Sequence, residues 1–107
     1  MGHGGRIVLS SSTLEYIRVK VEAIESGVVV NPTSSTVEFA FPPVGQDISS
    51  ATWVAGSWET SSGYYYARTL VGAGGGVVLA DGTYEVWVRV NQGVEFPHRK
   101  TGLLDIL

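Results

Sequence analysis

Hydrophobic and polar positions alternate with a period of two along most of the chain. Between Leu14 and Ile24 one face carries Ile17, Val19, Val21 and Ala23, and the other carries Tyr16, Arg18, Lys20 and Glu22. Such alternation predicts a strand with one face on a core and one in water. A helix over the same residues would set Arg18 and Glu22 among Val21 and Ile17 and leave no apolar stripe. Thr36 to Phe41 alternates again, with Val37, Phe39 and Phe41 on one side and Glu38 and Ala40 on the other, until Pro42-Pro43 stops it. The clearest strand is Thr83 to Val90: Tyr84, Val86, Val88 and Val90 point inward, and Glu85, Trp87 and Arg89 outward.

The intervening segments carry turn chemistry. Ser26-Gly27 and Asn31-Pro32 bracket Val28, Val29 and Val30, which predicts a short extended piece or edge strand. Val44 to Ser50 reads as a loop. Trp53-Val54 and Trp58-Glu59 flank Ala55-Gly56-Ser57, which fits two short strands or one strand with a bulge. Ser61-Ser62-Gly63 is a turn, and Tyr64 to Val71 the next strand. Its two faces, Tyr64, Tyr66, Arg68 and Leu70 against Tyr65, Ala67, Thr69 and Val71, do not reveal which is inside. Gly72 to Gly76 reads as a flexible loop, Val77 to Leu79 as a short apolar piece, Asp81-Gly82 and Asn91-Gln92-Gly93 as turns. Glu95 to Pro97 marks a possible return, and Lys100 to Leu107 a last strand punctuated by Gly102.

About seven short strands, separated by turn signals roughly every eight to twelve residues, predict an all-β antiparallel sandwich or small barrel, and the entry of Tyr84 into its strand narrows the choice to an immunoglobulin-like sandwich. Residues 13–107 form the sandwich in this reading, and residues 1–12 a flexible arm or a short first strand. Tyr84 enters its strand two residues after Gly82. It either turns its hydroxyl back onto upstream backbone, as a tyrosine corner does, or fills the end of the core.

Composition narrows the function. The chain has 107 residues, which favours one domain. It lacks cysteine, so neither a disulfide framework nor a thiolate metal site is expected. Seven basic against ten acidic residues give a net charge of −3 with no basic run, so no nucleic-acid partner is expected. No apolar stretch is long enough to span a bilayer, and the Gly-rich start lacks the pattern of a signal peptide. Synthesis in a cytoplasm is the expectation.

Candidate chemistry is sparse. No serine sits in a Gly-x-Ser-x-Gly elbow. Of the two histidines, His3 lies in the Gly-rich start and His98 in a predicted turn beside Pro97 and Arg99. Glu38, Glu59 and Glu85 fall on outward faces and nominate no catalytic pair. Gly72 to Gly76 lacks the Lys-Ser/Thr and the following helix of a phosphate loop. No enzyme, cofactor or metal is expected. The aromatic residues remain, and Trp87, Arg89, Trp58, Tyr65, Phe96 and His98 are the candidate interface residues. An outward aromatic beside an arginine suits a protein interface, although Trp87 could equally pack under a loop or pair across strands. Trp53, Trp58 or Trp87 could alternatively form a stacking platform in a carbohydrate- or cell-surface-binding module.

A resemblance emerges from the order of several blocks. Val37-Glu38-Phe39-Ala40-Phe41 is followed by Trp53 and Gly56-Ser57-Trp58-Glu59, then Tyr65-Tyr66-Ala67-Arg68 and Leu70-Val71-Gly72. Gly76, Leu79, Asp81-Gly82-Thr83-Tyr84-Glu85-Val86-Trp87-Val88, Pro97 and Gly102-Leu103-Leu104 complete the series. This order resembles small immunoglobulin-like virion proteins of tailed phages and prophages of actinobacteria. The resemblance implies a structural or accessory virion component, near the capsid surface or head–tail junction. Its expected partners are other virion proteins, with self-association into a homo-oligomer a further possibility. It brings no catalytic residues.

Overall fold

The computed structural model describes residues 6–10, 12, 14–25, 27–72, 76–91 and 98–107. Ten strands are formed among them: β1 (Arg6–Leu9), β2 (Glu15–Val21), β3 (Ala23–Glu25), β4 (Val28–Val30), β5 (Val37–Ala40), β6 (Trp53–Ala55), β7 (Ser57–Ser61), β8 (Tyr64–Val71), β9 (Gly82–Val90) and β10 (His98–Ile106). One sheet has the order β1-β10-β9-β5-β6, the second β2-β8-β7, and β3-β4 is a separate hairpin. The two larger sheets form the layers of an all-β, immunoglobulin-like sandwich. β2, β8 and β7 correspond to strands B, E and D, and β5, β6, β9 and β10 to C, C′, F and G. Among the described residues, the pairings between these strands are antiparallel except that of β1 with β10; an isolated parallel bridge joins Val71 and Val77.

The core is the inward half of each alternating pattern. Ile17 from β2, Ala67 and Val71 from β8, Val37 and Phe39 from β5, Val86 and Val88 from β9, and Leu104 and Ile106 from β10 are buried together with Leu9 and Phe41. Phe39 and Phe41 stack with centroids 6.1 Å apart. Burial of these side chains on folding is the main favourable term. The β8 face left open by the sequence is settled: Ala67, Thr69 and Val71 point inward. Thr69 is the buried polar residue of this face, and its hydroxyl donates to the Ala55 carbonyl at 3.2 Å.

There are three more strands than the seven predicted from turn signals, for local reasons. Alternation continues through Glu22, but β2 stops at Val21, and Ala23–Glu25 folds back on Val28–Val30 through the turn at Gly27. The Trp53–Ser61 segment is two strands in different sheets. Gly56 is the crossing point: its N–H still donates to Val37 of the first sheet at 2.8 Å, while Ser57 already pairs with Arg68 of the second. A Cβ at Gly56 would lie 2.8 Å from Phe39 Cε1 and 3.0 Å from the Arg68 carbonyl oxygen, so glycine is required where the chain changes layers.

The β7–β8 hairpin closes through Ser62 (φ 52°) and Gly63 (φ 80°), the two positive φ angles of a type I′ turn. The Val44–Ser50 loop includes a single 3-10 turn, Ile48–Ser50, whose start is capped by Asp47 accepting from the Ser49 N–H at 2.9 Å. That bond holds the Asp47 carboxyl below its usual pKa. Tyr84 forms a tyrosine corner, donating its hydroxyl to the Ala80 carbonyl at 2.7 Å while its ring packs against the core.

Candidate interaction faces

The five-stranded sheet carries its outward residues in a register that groups them. Ala40 on β5 lies opposite Trp53 on β6 and opposite Trp87 on β9, so the two indoles flank one small residue. Ala40 is 0% exposed yet stands outside the core cluster. Its burial is therefore on the outer face, between the flanking rings. One rung further along, Glu38 pairs with Arg89 and with Ala55. Arg89 donates from Nη2 to Glu38 Oε1 at 2.6 Å and from Nε to the same oxygen at 3.0 Å. Its guanidinium also lies 4.3 Å from the Trp53 ring centroid. Ion pairing and the ring fix the arginine from two sides, which lowers the entropy it would lose on contact with a partner.

The same face continues toward β10. The Trp87 indole N–H donates to Glu85 Oε1 at 2.9 Å, and Lys100 Nζ lies 3.7 Å from Glu85 Oε2. Beyond them, Asp105 accepts from Arg6 and from the Thr83 hydroxyl, the latter at 2.7 Å. The Arg6 hydrogen bonds, followed by that of Thr83, hold the Asp105 carboxyl below its usual pKa. This carboxylate ties β1, β9 and β10 together.

The outer face of the three-stranded sheet has a different character. Arg18 lies directly opposite Arg68 in the β2–β8 register, an unfavourable like-charge pairing. Both lean away onto rings: Arg18 over Tyr66 at 4.2 Å and Arg68 over Tyr16 at 4.3 Å, with Lys20 over Tyr64 at 3.9 Å. Glu59 on β7 sits within 3.4 Å of Arg18 and 3.9 Å of Arg68, offsetting their repulsion. This lattice depends on strand pairing between distant segments, and period-two reading of each strand alone does not reveal it.

The candidate interface residues therefore separate. Trp87 and Arg89 share the outer face of the five-stranded sheet, joined by Trp53 and Glu38. Trp58 instead turns inward opposite Ala67, packs half-buried against the core and donates its indole N–H to the Ser35 carbonyl at 2.8 Å. Tyr65 is on the same inward face as Ala67 and Thr69, at the end of β8. His98 is not in a turn; its backbone opens β10, paired with Arg89. Phe96 and most of the Asn91–Arg99 loop lie outside the described residues, as do the middle positions of the Gly72–Gly76 loop.

A groove of about 400 Å³ beside Gly56 and Gly76 has Tyr16, Ser57, Arg68 and Thr69 as its polar side chains. A second groove, of about 290 Å³, runs between β2 and the β1–β10 edge, lined by Ile7, Val19, Val86 and Gly102 among others. Among the described residues there is no group of three His, Asp or Glu side chains placed to hold a metal ion.

Fold and faces together define an immunoglobulin-like sandwich with an aromatic–arginine cluster on one sheet. Comparison with family models, with curated proteins and with solved structures returns no match.

Proposed function

We propose that this chain is a non-enzymatic structural or accessory protein of a bacteriophage virion. It works by protein–protein contact, at the capsid surface or the head–tail junction, after synthesis in the host cytoplasm. Its partners are other virion proteins, and copies of itself where the symmetry of the particle brings them together.

The observation that carries the reading is the cluster of Trp53, Trp87 and Arg89 around Ala40 and Glu38 on a sheet face. Tryptophan and arginine are the residues most enriched among those that dominate binding energy at protein interfaces. An arginine already oriented by Glu38 and Trp53 meets a partner with little ordering cost. The resemblance of its sequence-block order to small virion proteins of actinobacterial phages suggests the biological setting.

The test is mass spectrometry of purified particles from the phage or induced prophage that encodes the chain. The protein is expected in a fixed ratio to the major capsid or tail proteins. Its absence from infectious particles overturns the proposal. Tryptophan fluorescence during titration with a glycan panel provides the contrasting outcome: a saturable change would favour a carbohydrate-binding platform built on Trp53 and Trp87.

A further inference from the structure

The two layers of the sandwich are unequal, five strands against three. At one side they are joined by the Gly56 crossing, where β6 of the larger sheet runs into β7 of the smaller. On the opposite side β2 ends the smaller sheet, and among the described residues no strand pairs with its outer edge. The larger sheet extends past it there, with β10 and then β1. The groove of about 290 Å³ lies in this step, bounded by Arg18, Val19 and Lys20 of β2, Ile7 of β1, Val86 of β9, and Thr101, Gly102 and Leu103 of β10.

We propose that this step is a strand-acceptor site, which takes an extended segment of a partner protein as an added strand beside β2. Three features point the same way. β2 is seven residues long and free of proline, so its outer edge offers a continuous row of backbone donors and acceptors. A strand added at the usual spacing of about 4.8 Å lies over the overhanging β10 and β1. Its alternate side chains then enter the groove, against Ile7, Val19 and Val86, with room left by Gly102. Finally, edge strands are commonly guarded by charged side chains standing over the edge. Here Arg18 and Lys20 instead lean back over Tyr66 and Tyr64 of β8, leaving the edge approachable while keeping positive charge beside it.

The same charges select the occupant. The outward side chains of an added strand sit next to Tyr16, Arg18 and Lys20; on this face the three strands themselves carry three cations and one carboxylate, Glu59, with the exposed Glu22 just past the end of β2. Opposite charges across strands stabilise and like charges destabilise. The fitting segment therefore alternates apolar residues with Asp or Glu. A second copy pairing β2 with β2 in full overlap would set Arg18 against Arg18, so the acceptor suits a different segment. This site is separate from the Trp53–Trp87 face and does not rest on the virion reading.

The experiment uses the full chain, ¹⁵N-labelled, titrated with a nine-residue peptide alternating Val and Glu, and in parallel with one alternating Val and Lys. Saturable shifts are expected at the amides of β2 and at Ile7 and Gly102 with the glutamate peptide only, together with slowed amide exchange along β2. The double variant Arg18→Glu/Lys20→Glu, checked for folding by circular dichroism, should weaken that peptide about tenfold or more and favour the lysine peptide. Absence of binding, equal binding of both peptides, or shifts confined to other strands would overturn the proposal. So would protection, without peptide, of the outer-edge β2 amides that do not bond to β8, or a concentration-dependent dimer that buries β2. Each readout concerns the isolated protein, so failure here leaves the particle analysis untouched, and the reverse also holds.

Discussion

Arg89 lies over the indole of Trp53, 4.3 Å from its ring centroid, while Glu38 holds the same guanidinium at 2.6 Å. The two contacts come from β5 and β6, the next two strands on one side of β9, so the arginine is positioned before any partner arrives. Both ionic side chains are partly exposed, and the pair adds modestly to stability. Arg89→Lys keeps the charge but loses the planar group that fits both ring and carboxylate. We expect a stability loss within about 1 kcal/mol in urea denaturation. Incorporation into particles should fall much more steeply, as measured by quantitative mass spectrometry.

The tyrosine corner gives a clean test of the fold. Tyr84→Phe removes only the hydroxyl that donates to Ala80. A loss of about 1 kcal/mol in urea denaturation is expected, the usual contribution of one such bond.

Gly56 and Gly63 are both glycines for different reasons, and substitution separates them. Gly56→Ala forces a methyl group to within 2.8 Å of the fully buried Phe39 ring, and overpacking of this kind costs about 1–3 kcal/mol. Gly63→Ala meets no atom within 4 Å, so its cost comes only from the positive φ, about 1 kcal/mol. Ser62, also at positive φ, should gain about 0.5 kcal/mol when replaced by Asn, the preferred first residue of this turn. Thermal melts of the three variants give the order Ser62→Asn, Gly63→Ala, Gly56→Ala from most to least stable.

Asp105 makes stability depend on acid. Its carboxyl titrates lower in the folded protein than its ordinary value of 3.8, because Arg6 and Thr83 hydrogen-bond the ionised form. The stabilisation is therefore complete above the unfolded-state pKa and is lost as pH falls through the lower folded-state value. Melting temperature should drop between pH 5 and pH 2 in the wild type, and drop less in Asp105→Asn over the same window.

Much of this architecture was legible in the sequence, unevenly and for physical reasons. Strand β9 was readable residue by residue, because a strand with one face on the core and one outward must alternate, and Trp87 and Arg89 fall on the outer face as that alternation requires. Trp58 and Tyr65 were harder. Their orientation depends on Gly56 carrying the chain from one sheet to the other, and that crossing is fixed by contact with Phe39 and Arg68, distant in sequence. Trp53 and Glu38 join the outer cluster only once β5 is known to lie between β6 and β9. The Arg18–Tyr66 and Arg68–Tyr16 contacts likewise require the register of β2 on β8, segments far apart in the sequence. Local periodicity says which face a side chain takes; pairing decides its neighbours.

The account centres on the outer face of the five-stranded sheet as a contact surface in an assembled particle. A near-atomic reconstruction of that particle by electron cryomicroscopy tests it most directly. The expected result is density for this sandwich with Trp53, Trp87 and Arg89 covered by a neighbouring virion protein. A particle in which the chain is present but that face lies open to solvent would contradict it.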